Sequence, residues 1–112
     1  MDYLDEMDGM VLKGEIPQAV DKFFADDAMT QDVDGSKTTT KEQAVEKLTG
    51  FVGSIANVKE ITLLNSTATD NVTMSEFLFN FDMKDGTEIK WHEVIRRVWN
   101  GNKVINEQYF QN

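Results

Sequence analysis

Two charged residues fall within an alternating run of large apolar residues in the second half of the sequence. Glu93 and Arg97 have odd numbers, and so do their apolar neighbours Trp91, Ile95 and Trp99. Side chains alternate between the two faces of a strand, so in a strand both charges would share the apolar face. A buried charge is costly unless it is paired or hydrogen-bonded. The two residues therefore either satisfy groups within their own sheet or anchor a polar ligand group in an apolar pocket.

Few other residues are candidates for chemistry. His92 is the only histidine, and its even number places it on the face opposite to Glu93, which favours a surface or interface role over catalysis. A single outward histidine does not support a Ser–His–acid triad. The sequence has no cysteine, and one histidine alone is a poor ligand set. We therefore predict no metal site and no other cofactor.

The composition indicates one acidic globular domain. The 112 residues suit a single domain, 1–112, and the hydrophobic and charged fractions of 40% and 28% are ordinary for a folded protein. A net charge of −9 repels phosphate backbones and anionic lipids, so we predict neither nucleic acid nor a membrane as a partner. The N-terminus has no signal-peptide pattern, and no apolar run approaches about 20 residues. We expect a cytoplasmic location.

The first half of the chain has the residue spacing of helices. Apolar residues at three- and four-residue intervals predict a helix at the N-terminus, and Pro17 suits the first turn of a second helix. We expect Asp26-Asp27 to close that second helix and residues 28–33 to form a short strand. Thr40 then predicts the N-cap of a third helix, with Gln43 three residues later as in a capping box.

The second half has the alternation of strands separated by turn signals. The predicted strands are Val58–Thr69, Val72–Met83, Glu88–Trp99 and Lys103–Gln111, and each pair is separated by an Asp or Asn next to Gly or Asn. These strands are longer than usual, which favours a twisted, curved sheet. The fold class is therefore α+β, with three N-terminal helices packed on a long, curved, mainly antiparallel sheet in the form of a cup.

A three-residue loop with Gly86 in the left-handed conformation would place odd residues opposite odd ones across the central hairpin. A two-residue loop would reverse this partnership. With the three-residue loop, the predicted pocket residues on the inward face are Phe77, Phe79, Phe81, Trp91, Glu93, Ile95, Arg97 and Trp99. The outward face stays half apolar, which predicts a homodimer through the outer face of the sheet.

The chain resembles the nuclear transport factor 2-like superfamily, which includes ketosteroid isomerase, scytalone dehydratase and SnoaL-like polyketide cyclases. The resemblance is strongest from Leu12 to Ala28, where Lys13-Gly14-Glu15 precedes an apolar helix and Phe24-Ala25-Asp26-Asp27-Ala28. Further similar landmarks are Asp34-Gly35, Asp85-Gly86, Trp99-Asn100-Gly101, Val104 and Tyr109. The resemblance spans nearly the whole chain and implies the same helix-backed cup.

The resemblance to ketosteroid isomerase also implies roles for single residues. Asp32 falls where that enzyme keeps its general-base aspartate, and a carboxylate at the lip of an apolar cup suits proton transfer between carbons. The two oxyanion donors of the enzyme correspond to Met7 and Ile95, whose side chains cannot donate a hydrogen bond. Glu93, on the same face as Ile95, could replace the lost donor if it is neutral. Steroid isomerisation in the manner of that enzyme is therefore not expected.

Three functions remain open at this point. The leading hypothesis is a cup that binds a small, largely apolar molecule, and it requires a closed, aromatic-lined cavity of a few hundred Å³. The first alternative is an isomerase, dehydratase or cyclase with Asp32 as the base, and it requires that Asp32 faces the cavity. The second alternative is a protein-interaction module. Whether the chain is an enzyme stays open.

Overall fold

A computed structural model describes residues 2–112 and shows three helices and six strands. The helices are α1 (Asp2–Leu12), α2 (Ile16–Phe23) and α3 (Lys41–Gly53). The strands are β1 (Phe24–Gln31), β2 (Lys37–Thr38), β3 (Ile55–Thr69), β4 (Val72–Met83), β5 (Glu88–Asn100) and β6 (Lys103–Gln111). The predicted α+β class, with three helices on a mainly antiparallel curved sheet, is confirmed.

The strands form one open sheet in the order β2-β1-β6-β5-β4-β3. All neighbouring strands are antiparallel except β1 and β6, which are parallel. Register shifts interrupt the β3–β4, β5–β6 and β1–β6 pairings. Such bulges bend a strand and increase its twist, so they help to curve the sheet around the helices.

The starts of α2 and α3 follow the predicted capping signals. Pro17 lies in the first turn of α2, where its missing N–H removes no helical bond. At α3, the Thr40 side chain accepts a hydrogen bond of 3.1 Å from the Gln43 amide. The Gln43 side chain accepts from the amide of Thr39, one residue before the cap, at 2.8 Å. The Thr40 contact therefore satisfies a backbone donor that the helix leaves free, and the Gln43 contact satisfies the amide just before the cap.

The predicted end of the second helix is wrong. The helix ends at Phe23, and Asp26-Asp27 lies within β1. Phe24 already has extended backbone angles, with φ −76° and ψ 140°, and pairs with Val104 of β6. Phe24 and Val104 are both buried. The free energy gained by pairing β1 with β6 therefore exceeds the free energy that a further turn of helix would give. At the other predicted boundary, β3 begins at Ile55 rather than Val58, because Ile55 pairs with Met83.

The register of the β4–β5 hairpin confirms the predicted faces. Gly86 has φ +90°, and the paired residues include Phe81 with Ile89 and Phe77 with Glu93. Odd residues therefore lie opposite odd residues, on the concave face that packs under the helices. Apolar side chains of α1, α2 and α3 complete a core with this face. No helix within residues 2–112 is long and apolar enough to span a bilayer.

Candidate functional site

A cavity of about 520 Å³ lies between the helices and the concave face of the sheet. Twelve of its twenty lining residues are apolar: Met7, Val11, Ile16, Ala19, Val20, Val33, Leu48, Phe51, Phe79, Phe81, Trp91 and Ile95. The other eight are Asp32, Asp34, Lys47, Glu93, Arg97, Glu107, Tyr109 and Gln111. Seven of the apolar residues come from the three helices and four from β4 and β5, whereas most of the polar ones come from β5 and β6.

One wall of the cavity is a cluster of aromatic rings. Phe51 of α3 stacks on Trp91, with ring centroids 5.4 Å apart and 16° between the planes. Phe51 also meets Phe81 edge to face at 5.9 Å. Phe79 lies beside Phe81 at 5.7 Å and is paired with Trp91 across the hairpin. This contact between α3 and two strands presents an apolar surface to the cavity.

Six of the eight predicted pocket residues line the cavity, namely Phe79, Phe81, Trp91, Glu93, Ile95 and Arg97. The other two, Phe77 and Trp99, do not line it. Phe77 is fully buried and stacks on Phe79 at 5.2 Å. Trp99 packs against Phe23 and donates from Nε1 to Thr73 Oγ1 at 2.9 Å. Both residues lie on the predicted face but are packed beneath the helices beyond the cavity.

Glu93 is a buried carboxyl group on the β5 side of the cavity. Its side chain is 7% exposed, and Gln111 Nε2 donates to its Oε1 at 2.7 Å. Burial raises the pKa of Glu93 to about 7, and the nearby carboxylates of Glu107 and Asp32 act in the same direction. Glu93 can therefore both hold and release a proton near neutral pH.

Arg97 is committed to an ion-pair network within the protein. Its Nε donates to Glu107 Oε2 at 2.9 Å, and its Nη1 donates to Asp8 Oδ1 at 2.7 Å. Ser75 Oγ donates to the other oxygen of Asp8 at 2.6 Å. Burial alone would lower the pKa of Arg97, but the carboxylates of Glu107 and Asp8 outweigh it and raise that pKa. The contacts of Arg97 are therefore made with groups of its own protein, rather than being kept for a polar group of a ligand.

Tyr109 extends this network along β6. Its hydroxyl donates to Glu107 Oε1, so both oxygens of Glu107 accept a hydrogen bond. Burial, together with the charge of Glu107, raises the pKa of Tyr109 well above its ordinary value. The hydroxyl therefore stays protonated at neutral pH and is already used as a donor.

Asp32 lies at the solvent-exposed end of the cavity. Lys47 Nζ of α3 is 2.9 Å from its Oδ2, and the Val33 amide donates to its Oδ1 at 2.8 Å. Its side chain is 31% exposed. Asp32 thus borders the cavity as an ion-paired carboxylate, and each of its oxygens already accepts one hydrogen bond.

Met7 and Ile95 both line the cavity. The resemblance to ketosteroid isomerase placed the two oxyanion donors of that enzyme at these positions. A thioether and a branched hydrocarbon donate no hydrogen bond. Arg97 and Gln111, which line the cavity from β5 and β6, already donate to carboxylates, Arg97 to Glu107 and Gln111 to Glu93.

Several lining residues were not predicted. Phe51 follows Leu48 by three residues in α3, so the helical spacing of these apolar residues could have suggested it as a wall. Glu107, Tyr109 and Gln111 come from β6, where they pair with Arg97, Ile95 and Glu93. Lys47 is an exposed helical residue, and no sequence signal distinguishes it from the other lysines.

His92 lies on the convex face, as predicted from its even number. Its Nε2 is 2.6 Å from Glu76 Oε2, and this contact, followed by one from Asn65, lowers the pKa of Glu76. The pair is on the opposite side of the sheet from the cavity. Within residues 2–112, no group of three or more His, Asp or Glu side chains is arranged to hold a metal ion.

The architecture is that of the nuclear transport factor 2-like fold, and this predicted resemblance is confirmed at the level of fold. A scan against family models finds no match, and no curated protein is detectably similar in sequence.

Three solved structures illustrate this likeness. A protein described as a SnoaL-like polyketide cyclase from Mesorhizobium loti superposes with a TM-score of 0.86 at 16% identity, covering 97% of this chain and 96% of its own. A protein of unknown function from Burkholderia pseudomallei gives 0.83 at 9% identity, covering 100% and 89%. A protein of ketosteroid isomerase-like fold from Catenulispora acidiphila, in complex with trimethylamine, gives 0.73 at 20% identity, covering 84% and 73%.

Proposed function

We propose that this chain binds a small, largely apolar molecule in the cavity between the helices and the concave face of the sheet. One observation carries this proposal: a cavity of about 520 Å³ is lined mainly by apolar and aromatic side chains, with a few polar groups converging from β5 and β6. Ligand sites typically have about 300–1,000 Å³ and this distribution of apolar and polar groups.

The cavity is partly open to solvent, but its volume still exceeds the gaps that ordinary packing leaves. Protein interiors are filled to a density of about 0.75, and voids larger than a water molecule are few. Here Phe51 and Trp91 stack on each other at the cavity wall and leave its centre unfilled. The protein therefore maintains apolar surface that a ligand would cover. This feature favours a ligand-binding site over a module that acts through its outer surface alone.

A second candidate function is enzymatic proton transfer, as in an isomerase, dehydratase or cyclase. Glu93 favours it, because a carboxyl group with a pKa of about 7 inside an apolar cavity can act as a general acid or base. Asp32, the predicted base, also borders the cavity but is paired with Lys47. In this mechanism a neutral Glu93 would supply the hydrogen bond that Met7 and Ile95 cannot give.

The binding proposal can be tested with N-phenyl-1-naphthylamine, a neutral dye whose fluorescence rises in apolar surroundings. Two variants on α3 form a matched pair. Leu48 lines the cavity, whereas the next residue, Thr49, is exposed. Leu48→Trp should fill part of the cavity and weaken dye binding at least about tenfold, whereas Thr49→Trp should leave it within about twofold.

Circular dichroism should first show that both variants fold. Saturable dye binding by the wild type that is lost in Leu48→Trp alone would support the proposal. A wild-type protein that binds no dye, or binds it equally well with either tryptophan, would contradict it.

A further inference from the structure

We propose that the bound molecule carries a positively charged group, such as a substituted ammonium, and that this group lies between Glu93 and the aromatic wall. This inference rests on the proposed function, because it names the chemistry of the molecule that occupies the same cavity. It goes further by assigning one charge to the ligand and one residue to its recognition.

The first argument is the balance of charge around the cavity. Four acidic side chains line it, Asp32, Asp34, Glu93 and Glu107, against two basic ones, Lys47 and Arg97. Both basic groups are already paired with carboxylates. Lys47 contacts Asp32 at 2.9 Å, and Arg97 is shared between Glu107 and Asp8. The acidic excess at the cavity is therefore not neutralised from within the lining.

The second argument is the environment of Glu93. Its Oε1 accepts from Gln111, whereas Oε2 has no hydrogen-bond partner and no basic group within 4 Å in the part of the chain described here. Two neighbouring carboxylates, Glu107 and Asp32, add a negative potential at this position that Arg97 does not cancel. An ionised carboxylate at this depth is costly without a cation. A positively charged ligand group would supply that partner.

The third argument is the arrangement of the rings. Trp91 lies on the same face of β5 as Glu93, two residues earlier, and both line the cavity. Phe79 is paired with Trp91 across the hairpin. Aromatic faces attract ammonium groups, tryptophan most strongly, and the attraction grows when the cation is removed from water. The carboxylate and the rings together form the elements of an ammonium site, whereas a carboxylate or sulfonate would be repelled by the same charges.

The test uses three ligands with one benzyl body and different head groups. Benzyltrimethylammonium is cationic, neopentylbenzene is its neutral isostere, and benzylsulfonate is anionic. Each competes with N-phenyl-1-naphthylamine for the wild-type protein and for Glu93→Gln, which keeps the size and the oxygen that Gln111 contacts. Glu76→Gln, on the convex face, removes one charge elsewhere and serves as the control.

We expect the cation to displace the dye from the wild type and benzylsulfonate to do so at least about tenfold less well. Glu93→Gln should lower the affinity for the cation at least about tenfold, the scale of one charge-assisted contact, and the affinity for neopentylbenzene by less than about threefold. Glu76→Gln should change neither affinity. The comparison of ammonium with sulfonate uses the wild type alone, so it holds even if Glu93→Gln does not fold.

The outcomes separate this inference from the proposed function. If the dye and neopentylbenzene bind but the cation binds no better than the sulfonate, or is unaffected by Glu93→Gln, the inference is wrong and the binding function stands. If neither the dye nor any of the three compounds binds, both are wrong.

Discussion

The guanidinium group of Arg97 on β5 lies 2.7 Å from the carboxylate of Asp8 on α1, and both side chains are almost fully buried. Arg97 also pairs with Glu107 on β6 at 2.9 Å. One arginine thus joins the first helix to two central strands at the edge of the cavity. Removing one partner of such a pair leaves an uncompensated buried charge, which is why the pair should matter for stability.

We expect Asp8→Ala to lower the free energy of unfolding by about 3–5 kcal/mol, because Arg97 and Ser75 would lose their shared partner. Urea unfolding followed by circular dichroism measures this change. Glu6→Ala is the matched control on the same helix. Glu6 pairs with Lys22 at 2.6 Å, but both side chains are at least half exposed, so its loss should cost less than about 1 kcal/mol. Equal effects of the two variants would show that the buried network does not hold α1 in place.

The raised pKa of Glu93 predicts a stability that depends on pH. The ordinary pKa of a glutamate is 4.5, and in the folded protein it is about 7. Between these values the folded protein retains a proton that the unfolded chain has lost. The stabilising effect of that proton is complete below pH 4.5 and is lost as the pH rises through 7, by about 3 kcal/mol in all.

Glu93→Gln should therefore be close to the wild type in stability below pH 4.5 and more stable than it above pH 7. The glutamine cannot ionise, so it avoids the cost of a buried carboxylate at the higher pH. Urea unfolding of both proteins across this range gives the difference directly. A difference that stays constant with pH would mean that Glu93 titrates normally.

The convex face leads us to propose that two copies of the chain associate. Phe110 and Met74 are 46% and 44% exposed on this face. Val94, which is half buried, pairs with Phe110. Exposed apolar surface of this kind favours contact with a second copy through the same patch.

Native mass spectrometry should give twice the 12.8 kDa mass of one chain. Phe110→Lys should convert the dimer to a monomer, whereas Tyr3→Lys, at an exposed position on α1, should leave it a dimer. A wild-type protein that remains a single chain at micromolar concentration would rule this association out.

The cavity wall from β4 and β5 could be predicted because local signals fix its register. The loop around Gly86 sets odd residues opposite odd ones, and the alternation then assigns Phe79, Trp91 and Glu93 to one face. Alternation does not say how far along the strand the helices pack. For this reason alternation alone predicts Phe77 in the cavity wall, although Phe77 lies in the core.

The contribution of β6 could not be predicted, because a bulge changes its register. Trp99 pairs with Val104, but Val98 pairs with Asn106, so Ile105 is an extra residue on β6. A regular hairpin would have turned Tyr109 to the convex face. The end of α2 was missed for a related reason, since pairing with β6 rather than local preference starts β1 at Phe24. Long-range pairing decides both features, and no short stretch of sequence encodes it.

If the cavity beside Trp91 is the ligand site, a bound ligand changes the surroundings of one of the two indole N–H groups of the protein and leaves those of the other unchanged. Trp91 lines the cavity, whereas Trp99 is buried outside it and bonded to Thr73. In a ¹H–¹⁵N spectrum titrated with N-phenyl-1-naphthylamine, with Trp91→Phe used to assign the signals, we expect the Trp91 signal to shift in a saturable manner while the Trp99 signal stays in place. An unchanged Trp91 signal at saturating dye, or equal shifts of both signals, would show that the dye does not occupy this cavity.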